Sequence, residues 1–381
     1  MKRVLFDLWQ SQPSGSVKFH GGGEYIKSVF KMFAENFLDK CVMTVFFDRN
    51  RFVDDWIWDV LNNYPIEIEY VTEFDDLQKI LNRKKFDVFF SGLPHTRYSM
   101  LKIPEGMVYV GTIHGLRSVE LPSDTYAFMY VPSKYNLKAR LKNLLKEFAR
   151  KRNIADFQKR FDNLDYLVCV SNHTKHAIKN FFPKLGKKVE CFYTPEKIIA
   201  NNSVEHINFK SKFILLISCN RFEKNSYRAI LALDQLFNKK LLHEYKVVCV
   251  GQLPPKISNR ISCKEKFVQL DYVSSEKLEG LYSDCDIFFY PTLNEGFGMP
   301  PLEAMKYGKT CVVSGICSIP EVCGDAVYYV NPYDINEMQT RILQAVEDKI
   351  EKEKIESRLQ FIKEKQTLDL RNVCNYIIGL Q

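Results

Sequence analysis

Short, almost purely apolar runs recur along this chain, and helical patterns fill the intervals between them. In the first half the runs are RVLFDL (3–8), CVMTVFF (41–47), IEIEYV (66–71), DVFFSG (87–92), MVYVGTIH (107–114) and YLVCVS (166–171). Runs this uniformly apolar suit strands covered on both faces, and strands alternating with helices specify a parallel sheet with helices on either side. The pattern breaks in the polar, aperiodic stretch TPEKIIANNSVEHINFKSK (194–212). It then resumes with FILLISCN (213–220), KVVCVG (246–251), FVQLDYV (267–273), DIFFYPT (286–292) and TCVVSG (310–315). A chain of 381 residues is long enough to build two cores. The expectation is an α/β protein with two doubly wound, Rossmann-like domains divided near residue 195.

Composition and charge narrow the partners. No apolar run reaches the ~18 residues that a membrane-crossing helix needs, and MKRVLFDLWQ meets Asp7 too early for a signal peptide. Eleven cysteines, several inside strand-like runs and none in a CxxC pair, read as free buried thiols of a reducing cytoplasm. The formal charge is +8, and ten Lys or Arg against Glu147 and Asp156 between Lys134 and Arg160 supply a surplus equal to the whole. Leu137, Leu141, Leu144, Leu145 and Phe148 fall there at roughly helical spacing, which makes residues 134–160 a basic amphipathic helix. Two readings stay open for it: a solvated face packed over the sheet, or a patch that meets anionic lipid or an anionic acceptor at the inner face of a membrane. Few aromatics interleave with its cations, so nucleic acid is not an expected partner.

The chemistry concentrates between Asp286 and Gly308. A buried strand is followed by Asn294-Glu295-Gly296-Phe297-Gly298, where two glycines free the backbone for close approach, and then by Met299 and Pro300-Pro301, which start a helix carrying Leu302 and ending near Gly308. Such a helix start offers backbone N–H groups and a positive dipole to phosphate oxygens. Glu295 and Glu303 bracket the loop with seven residues between them. After FILLIS, Arg221 and Lys224 provide a fork and a point charge that suit a diphosphate. The cluster His20-Gly21-Gly22-Gly23-Glu24-Tyr25, between the first strand and the first helix, could bring backbone close to a ligand, although it lacks the G-x-G-x-x-G spacing of dinucleotide sites. His114 ends a strand at the edge where ligands of such sheets collect. His173 and His176 suggest a capped surface helix after Ser171 and no metal pair.

EGFGMPPLEAMKYGKTCVVSG, followed by SIPEVCGDAVYYVNP, resembles the donor-site signature of family 4 retaining glycosyltransferases, and the Glu295 to Glu303 spacing matches that family's mark. The resemblance implies the GT-B arrangement: an acceptor-binding domain (1–195), a nucleotide-sugar-binding domain (196–364), and a C-terminal helix (365–381) packed back on the first through Val373, Tyr376, Ile377 and Ile378. It places His114 near the transferred sugar and brings Gly22 and Gly23 toward the donor. It sets Tyr272 and Val273 against the nucleotide base, Glu303 on the ribose and Glu295 on a sugar hydroxyl. Gly296, Phe297, Gly298, Met299 and Leu302 complete the implied donor set, and the loop 314–321 closes over the phosphates. The implied reaction moves a sugar from a UDP- or GDP-sugar to a hydroxyl of a glycan or glycolipid in surface polysaccharide synthesis, with retained configuration and no metal or other cofactor. Alternatives at this point are a sugar-nucleotide epimerase on the same fold and a non-catalytic sugar-nucleotide-binding protein; a nicotinamide oxidoreductase is disfavoured by the glycine spacing.

Overall fold

Val4, Leu5 and Phe6 of β1 (Lys2–Asp7) have no exposed surface, because β1 is an interior strand of a parallel sheet covered on both faces. The computed structural model describes residues 1–13, 21–198, 204–207 and 209–380. The first sheet adds β2 (Cys41–Phe47), β3 (Glu67–Tyr70), β4 (Val88–Ser91), β5 (Val108–Ile113), β6 (Tyr166–Cys169) and β7 (Val189–Cys191), in the order β3-β2-β1-β4-β5-β6-β7. The second contains β8 (Lys212–Leu216), β9 (Tyr245–Val250), β10 (Phe267–Leu270), β11 (Ile287–Tyr290), β12 (Thr310–Ser314) and β13 (Tyr328–Val330), in the order β10-β9-β8-β11-β12-β13. Each sheet winds outward from its first strand and then jumps to the other side, between β1 and β4 and between β8 and β11. Ligands of sheets wound this way collect beyond the carboxyl ends of the strands at that switch. β7 and β13 were not legible as strands, since three residues are too few to show a pattern.

Two compact units result: Met1–Leu116 with Arg152–Ile199 and Lys363–Gln381, and Arg117–Lys151 with Ala200–Ile362. This differs from a single division near 195, because residues 117–151 belong with the second sheet. Single anchoring residues hold them there. Asp124 and Arg228, both buried, share two hydrogen bonds of 3.0 Å, and the guanidinium lies 4.6 Å from the Tyr126 ring. Met129 is buried in the core with Tyr227 and Ile230, and Lys256 Nζ donates to the Phe128 carbonyl at 2.9 Å. The basic stretch is also two helices instead of one, Asn136–Leu144 and Lys146–Asp162. The end of the helix Lys352–Gly379 belongs to the first unit, with Val373 and Ile377 buried and Asp369 accepting the Tyr193 N–H at 2.8 Å. Ser171 caps the helix Asn172–Phe181 through Thr174 N–H, and all eleven cysteines are unpaired.

At the end of β1, Asp7 is fully buried and accepts hydrogen bonds from Ser91 Oγ (2.6 Å) and Gln10 N–H (3.1 Å). Burial outweighs those bonds and pushes its carboxyl up to about 7. The folded chain therefore holds a proton that the unfolded chain gives up between pH 4 and 7, and stability of roughly 4 kcal/mol is lost as the pH rises through that window. Asp7→Asn should melt above the wild type at pH 8 and lose that advantage by pH 4, read by thermal denaturation across pH. A gap that does not change with pH would rule out a protonated Asp7.

Candidate functional site

β8 and β11 lie side by side at the second switch, so the residues that follow them meet. After β8 the chain makes a short turn, Phe222–Lys224, and enters the helix Ser226–Asn238 through Asn225 in the left-handed region (φ 61°). Asparagine tolerates that conformation. Its side chain is fixed by Nδ2 donating to the Pro291 (3.0 Å) and Pro332 (2.6 Å) carbonyls. This turn aims Lys224 across to β11. Its ammonium donates to Glu295 Oε1 at 2.5 Å and to the Tyr290 hydroxyl at 2.6 Å. Tyr290 (2.6 Å) and Thr292 (3.0 Å) donate to the same Glu295 oxygen. Three donors thus converge on Oε1, while Oε2 takes no bond from the described residues.

Burial alone would push the Glu295 carboxyl up. The Lys224 charge and the three hydrogen bonds outweigh it and hold the group below the usual carboxylate range, so it stands ionised in a mostly buried setting. Tyr290 is pushed far the other way, by its burial and then by the Glu295 charge. An ionised carboxylate with one oxygen saturated and one open can accept a hydroxyl in a fixed direction. Lys224 uses two of its three N–H donors on Glu295 and Tyr290.

Arg221 is placed differently from a guanidinium waiting for phosphate. Its Nε donates to Glu223 Oε1 at 2.8 Å, and Arg117 reaches the same oxygen at 2.6 Å. Burial raises the Glu223 carboxyl, but the two guanidinium groups more than compensate and leave it low. The Glu223 carbonyl also accepts Leu293 N–H (2.7 Å) and Thr292 Oγ (3.0 Å), which stitches the loop after β8 to the loop after β11. Asn294 is held by Glu120 Oε2 at 3.0 Å, and Ser318 Oγ donates to the Phe297 carbonyl at 2.7 Å. Arg117, Glu120, Glu223 and Tyr290 all escaped the sequence reading. Tyr290 lay inside the run DIFFYPT and Glu223 between Arg221 and Lys224, whereas nothing local marks Arg117 or Glu120, which precede the loops by about a hundred residues or more.

The glycine loop is built as required for a close approach. Gly298 has φ 106°, and a Cβ there would lie 2.6 Å from Ile319 Cδ1. The helix it opens is only seven residues, Met299–Met305, and stops short of Gly308. Few aligned peptides stand behind its N-terminus, so its dipole adds less than a long helix would. Glu303 is buried in it and accepts the Tyr282 hydroxyl at 2.9 Å. Leu302 is buried beside Glu303 in this helix. Tyr272 and Val273 follow β10, which β9 separates from β8; Tyr272 is exposed.

In the first unit the corresponding switch gathers the other expected residues. Gly21, Gly22 and Gly23 form the first turn of the helix Gly21–Asn36 and not a loop, and His20 lies outside the described residues. A Cβ on Gly22 would come within 3.0 Å of Leu93. His114 Nε2 meets the Gly92 carbonyl at 2.7 Å, so that nitrogen carries the proton, and Tyr25 packs edge-on against the ring at 4.9 Å. Beyond β1 to β4 a cavity of about 800 Å³ opens, lined by Trp9, Gln10, Arg51, Glu73, His95 and Arg97. The chain does contain an Asp-x-Asp, Asp284-Cys285-Asp286, the spacing of a metal-holding carboxylate pair, against the expectation that it has none. It sits at the amino end of β11, with Asp284 bonded to His206 (2.8 Å) and Asp286 to Phe213 N–H (2.9 Å), on the opposite edge from Lys224.

The buried pair makes a specific claim on stability. Lys224→Met leaves Glu295 buried without its counter-charge, which should cost about 3–5 kcal/mol at pH 8. The loss should shrink toward pH 4, where Glu295 can protonate, and Lys224→Met/Glu295→Gln should recover most of it. Chemical denaturation at the two pH values checks this, and an equal loss at both would deny the coupling.

A family model described as group 1 glycosyl transferases matches residues 199–367. A serotype-specific mannosyltransferase, WbdA of Escherichia coli, is 29% identical over 166 residues, covering 41% of this chain and 20% of that protein. The O-antigen chain mannosyltransferase RfbU of Salmonella typhimurium is 29% identical over 189 residues, covering 46% of this chain and 50% of the other. The match thus spans from a fifth to half of the length of these curated relatives. Among solved structures, Anabaena Alr3699/HepE in complex with UDP and glucose superposes over the whole of both chains with a TM-score of 0.66 at 14% identity, a likeness of fold. The stretch that carries Lys224 and Glu295 is thus similar to the group 1 glycosyl transferases, and the chain as a whole has the two-sheet GT-B fold.

Proposed function

We propose that this protein is a retaining glycosyltransferase that moves a hexosyl group from a UDP- or GDP-sugar to a hydroxyl of a glycan or lipid-linked acceptor in surface polysaccharide synthesis. The observation that carries this reading is the half-saturated Glu295 carboxylate beside the Lys224 ammonium. Glu295 Oε2 accepts a hydroxyl of the donor sugar. The remaining Lys224 donor, with Arg221, meets the diphosphate, whose charge grows as the glycosidic bond breaks in a largely dry site. Glu303 holds the ribose. These cations make a metal unnecessary, and the acceptor attacks from the face that the nucleoside diphosphate leaves. The first unit takes the acceptor in its cavity of about 800 Å³, with His114 at the neighbouring sheet edge. The names of the relatives, mannosyltransferases of O-antigen synthesis, support a mannosyl donor and hence GDP, while the UDP complex of the structural relative keeps UDP in the test. The basic stretch 134–160 brings the enzyme against an anionic membrane surface, where a lipid-linked acceptor is presented.

A melting panel of UDP, GDP, ADP and their sugars, run with EDTA, tests the donor site. One diphosphate should raise the melting temperature of the wild type by mass action, and Lys224→Met should lose that rise relative to its own baseline. Glu295→Gln should keep the nucleotide response while transfer falls about 10²-fold or more. Stabilisation only with added magnesium, or nucleotide released without an acceptor, would overturn the mechanism.

A further inference from the structure

The carboxyl ends of β2, β1 and β4 lie in that order along the first sheet, so the loops that leave them stand side by side. Trp9 and Gln10 follow β1, Arg51 follows β2, and His95 and Arg97 follow β4, while Glu73 follows the outer strand β3. All of them line the cavity of about 800 Å³, which is large among ligand cavities of ~300–1,000 Å³. The loop after β1 is fixed to the loop after β2, since Gln12, buried, donates from Nε2 to the Asp48 carbonyl (2.8 Å) and accepts the Asp48 N–H (2.8 Å). Trp9 thus stands between two loops that each carry a guanidinium. Its indole nitrogen is buried and has no hydrogen-bond partner among the described residues.

The charge in this cavity is unbalanced. Arg51 donates to the Pro13 carbonyl at 2.6 Å, and neither it nor Arg97 has a carboxylate within ion-pair distance among the described residues. The acid in the wall, Glu73, is already committed, because its carboxylate caps the helix Phe74–Arg83 through a backbone N–H of the first turn. His95 Nδ1 accepts the Arg97 N–H at 3.2 Å, which puts the ring proton on Nε2 as a further donor. Burial, and then the Arg97 and Arg160 charges, hold this imidazole below its usual range, so at neutral pH it adds a donor without a charge. Two forks of N–H donors without an acid suit the oxygens of a carboxylate or a phosphate. The indole between them offers a flat apolar face with one donor at its edge. A sugar ring has the matching form, with C–H groups on its faces and hydroxyls around its rim. A neutral glycan would strip water from both guanidinium groups and supply no counter-charge.

We propose that the acceptor is an acidic glycan, with a sugar lying on Trp9 and its carboxylate or phosphate turned to Arg51 and Arg97. The inference rests on the transferase reading and names the class of acceptor that the first unit takes. Calorimetric binding of 4-nitrophenyl β-glucuronide, 4-nitrophenyl β-glucoside and glucose 1-phosphate tests it. At least one of the two acidic sugars should bind about tenfold or more tighter than the glucoside, and which one does so tells carboxylate from phosphate. The preference should shrink as salt rises from about 0.05 to 0.5 M, where the charges are screened. Arg51→Gln/Arg97→Gln should erase it, and that variant should still melt higher with the nucleotide that stabilises the wild type. Trp9→Phe keeps a ring but loses the indole N–H, so it should weaken the favoured sugar several-fold. Equal binding of the glucoside and both acidic sugars overturns the proposal, as does an acid preference that survives in the double arginine variant. If no sugar binds while a nucleotide still raises the melting temperature, this proposal alone falls. An arginine-dependent acid preference without any nucleotide response sinks the transferase reading instead.

Discussion

An ammonium and a carboxylate, Lys224 and Glu295, sit together in a mostly buried pocket, and the arrangement around them follows from keeping both charged. Removing two charges from water is expensive, and their attraction offsets the cost only when geometry is good and the remaining donors and acceptors are satisfied. Tyr290 and Thr292 supply that satisfaction from the end of β11, and the left-handed turn at Asn225 supplies the direction of Lys224 from the end of β8. The pair therefore forms only where these two strands are neighbours, at the point where the strand order reverses. One oxygen of Glu295 is consumed in holding the pair, and the other is left in a fixed direction. A buried ion pair of this kind contributes little net stability, so its use is better understood as orientation than as cement.

The second unit does not make this site from its own stretch of sequence alone. Residues 117–131 run across it, anchored by the buried Asp124–Arg228 pair between Tyr126 and Tyr333. From that anchored segment Arg117 reaches Glu223 and Glu120 reaches Asn294, one on each of the two loops that carry Lys224 and Glu295. Guanidinium forks with paired aromatic faces are rigid anchors, which is why a segment with no strand of its own can be held in place. Arg221 is correspondingly less available than a lone cation, since Glu223 already holds it.

Much of the fold was legible because strands buried on both faces write themselves as nearly unbroken apolar runs, and ten of the thirteen strands among the described residues did so, while the edge strand β3, EIEY, showed itself by alternation and is largely exposed. Glu295, Glu303 and the glycine loop were legible because acids and glycines in a loop after a buried strand have no role in secondary structure. The basic stretch showed its leucines plainly, yet spacing on a helix says that a stripe exists and not which way it points.

By itself, the sequence determined two parallel sheets, the break between them, the glycine loop after β11 and the identities of the acids and cations around it, since each is a local property of pattern or residue type. Only the tertiary structure decided which of those charges meet: that Lys224 faces Glu295, that Glu223 claims Arg221, and that residues 117–151 belong to the second unit. The outward turn of the leucines was settled there as well. Pairing and facing depend on which strands become neighbours and on single long-range anchors, and neither leaves a periodic trace in a linear chain.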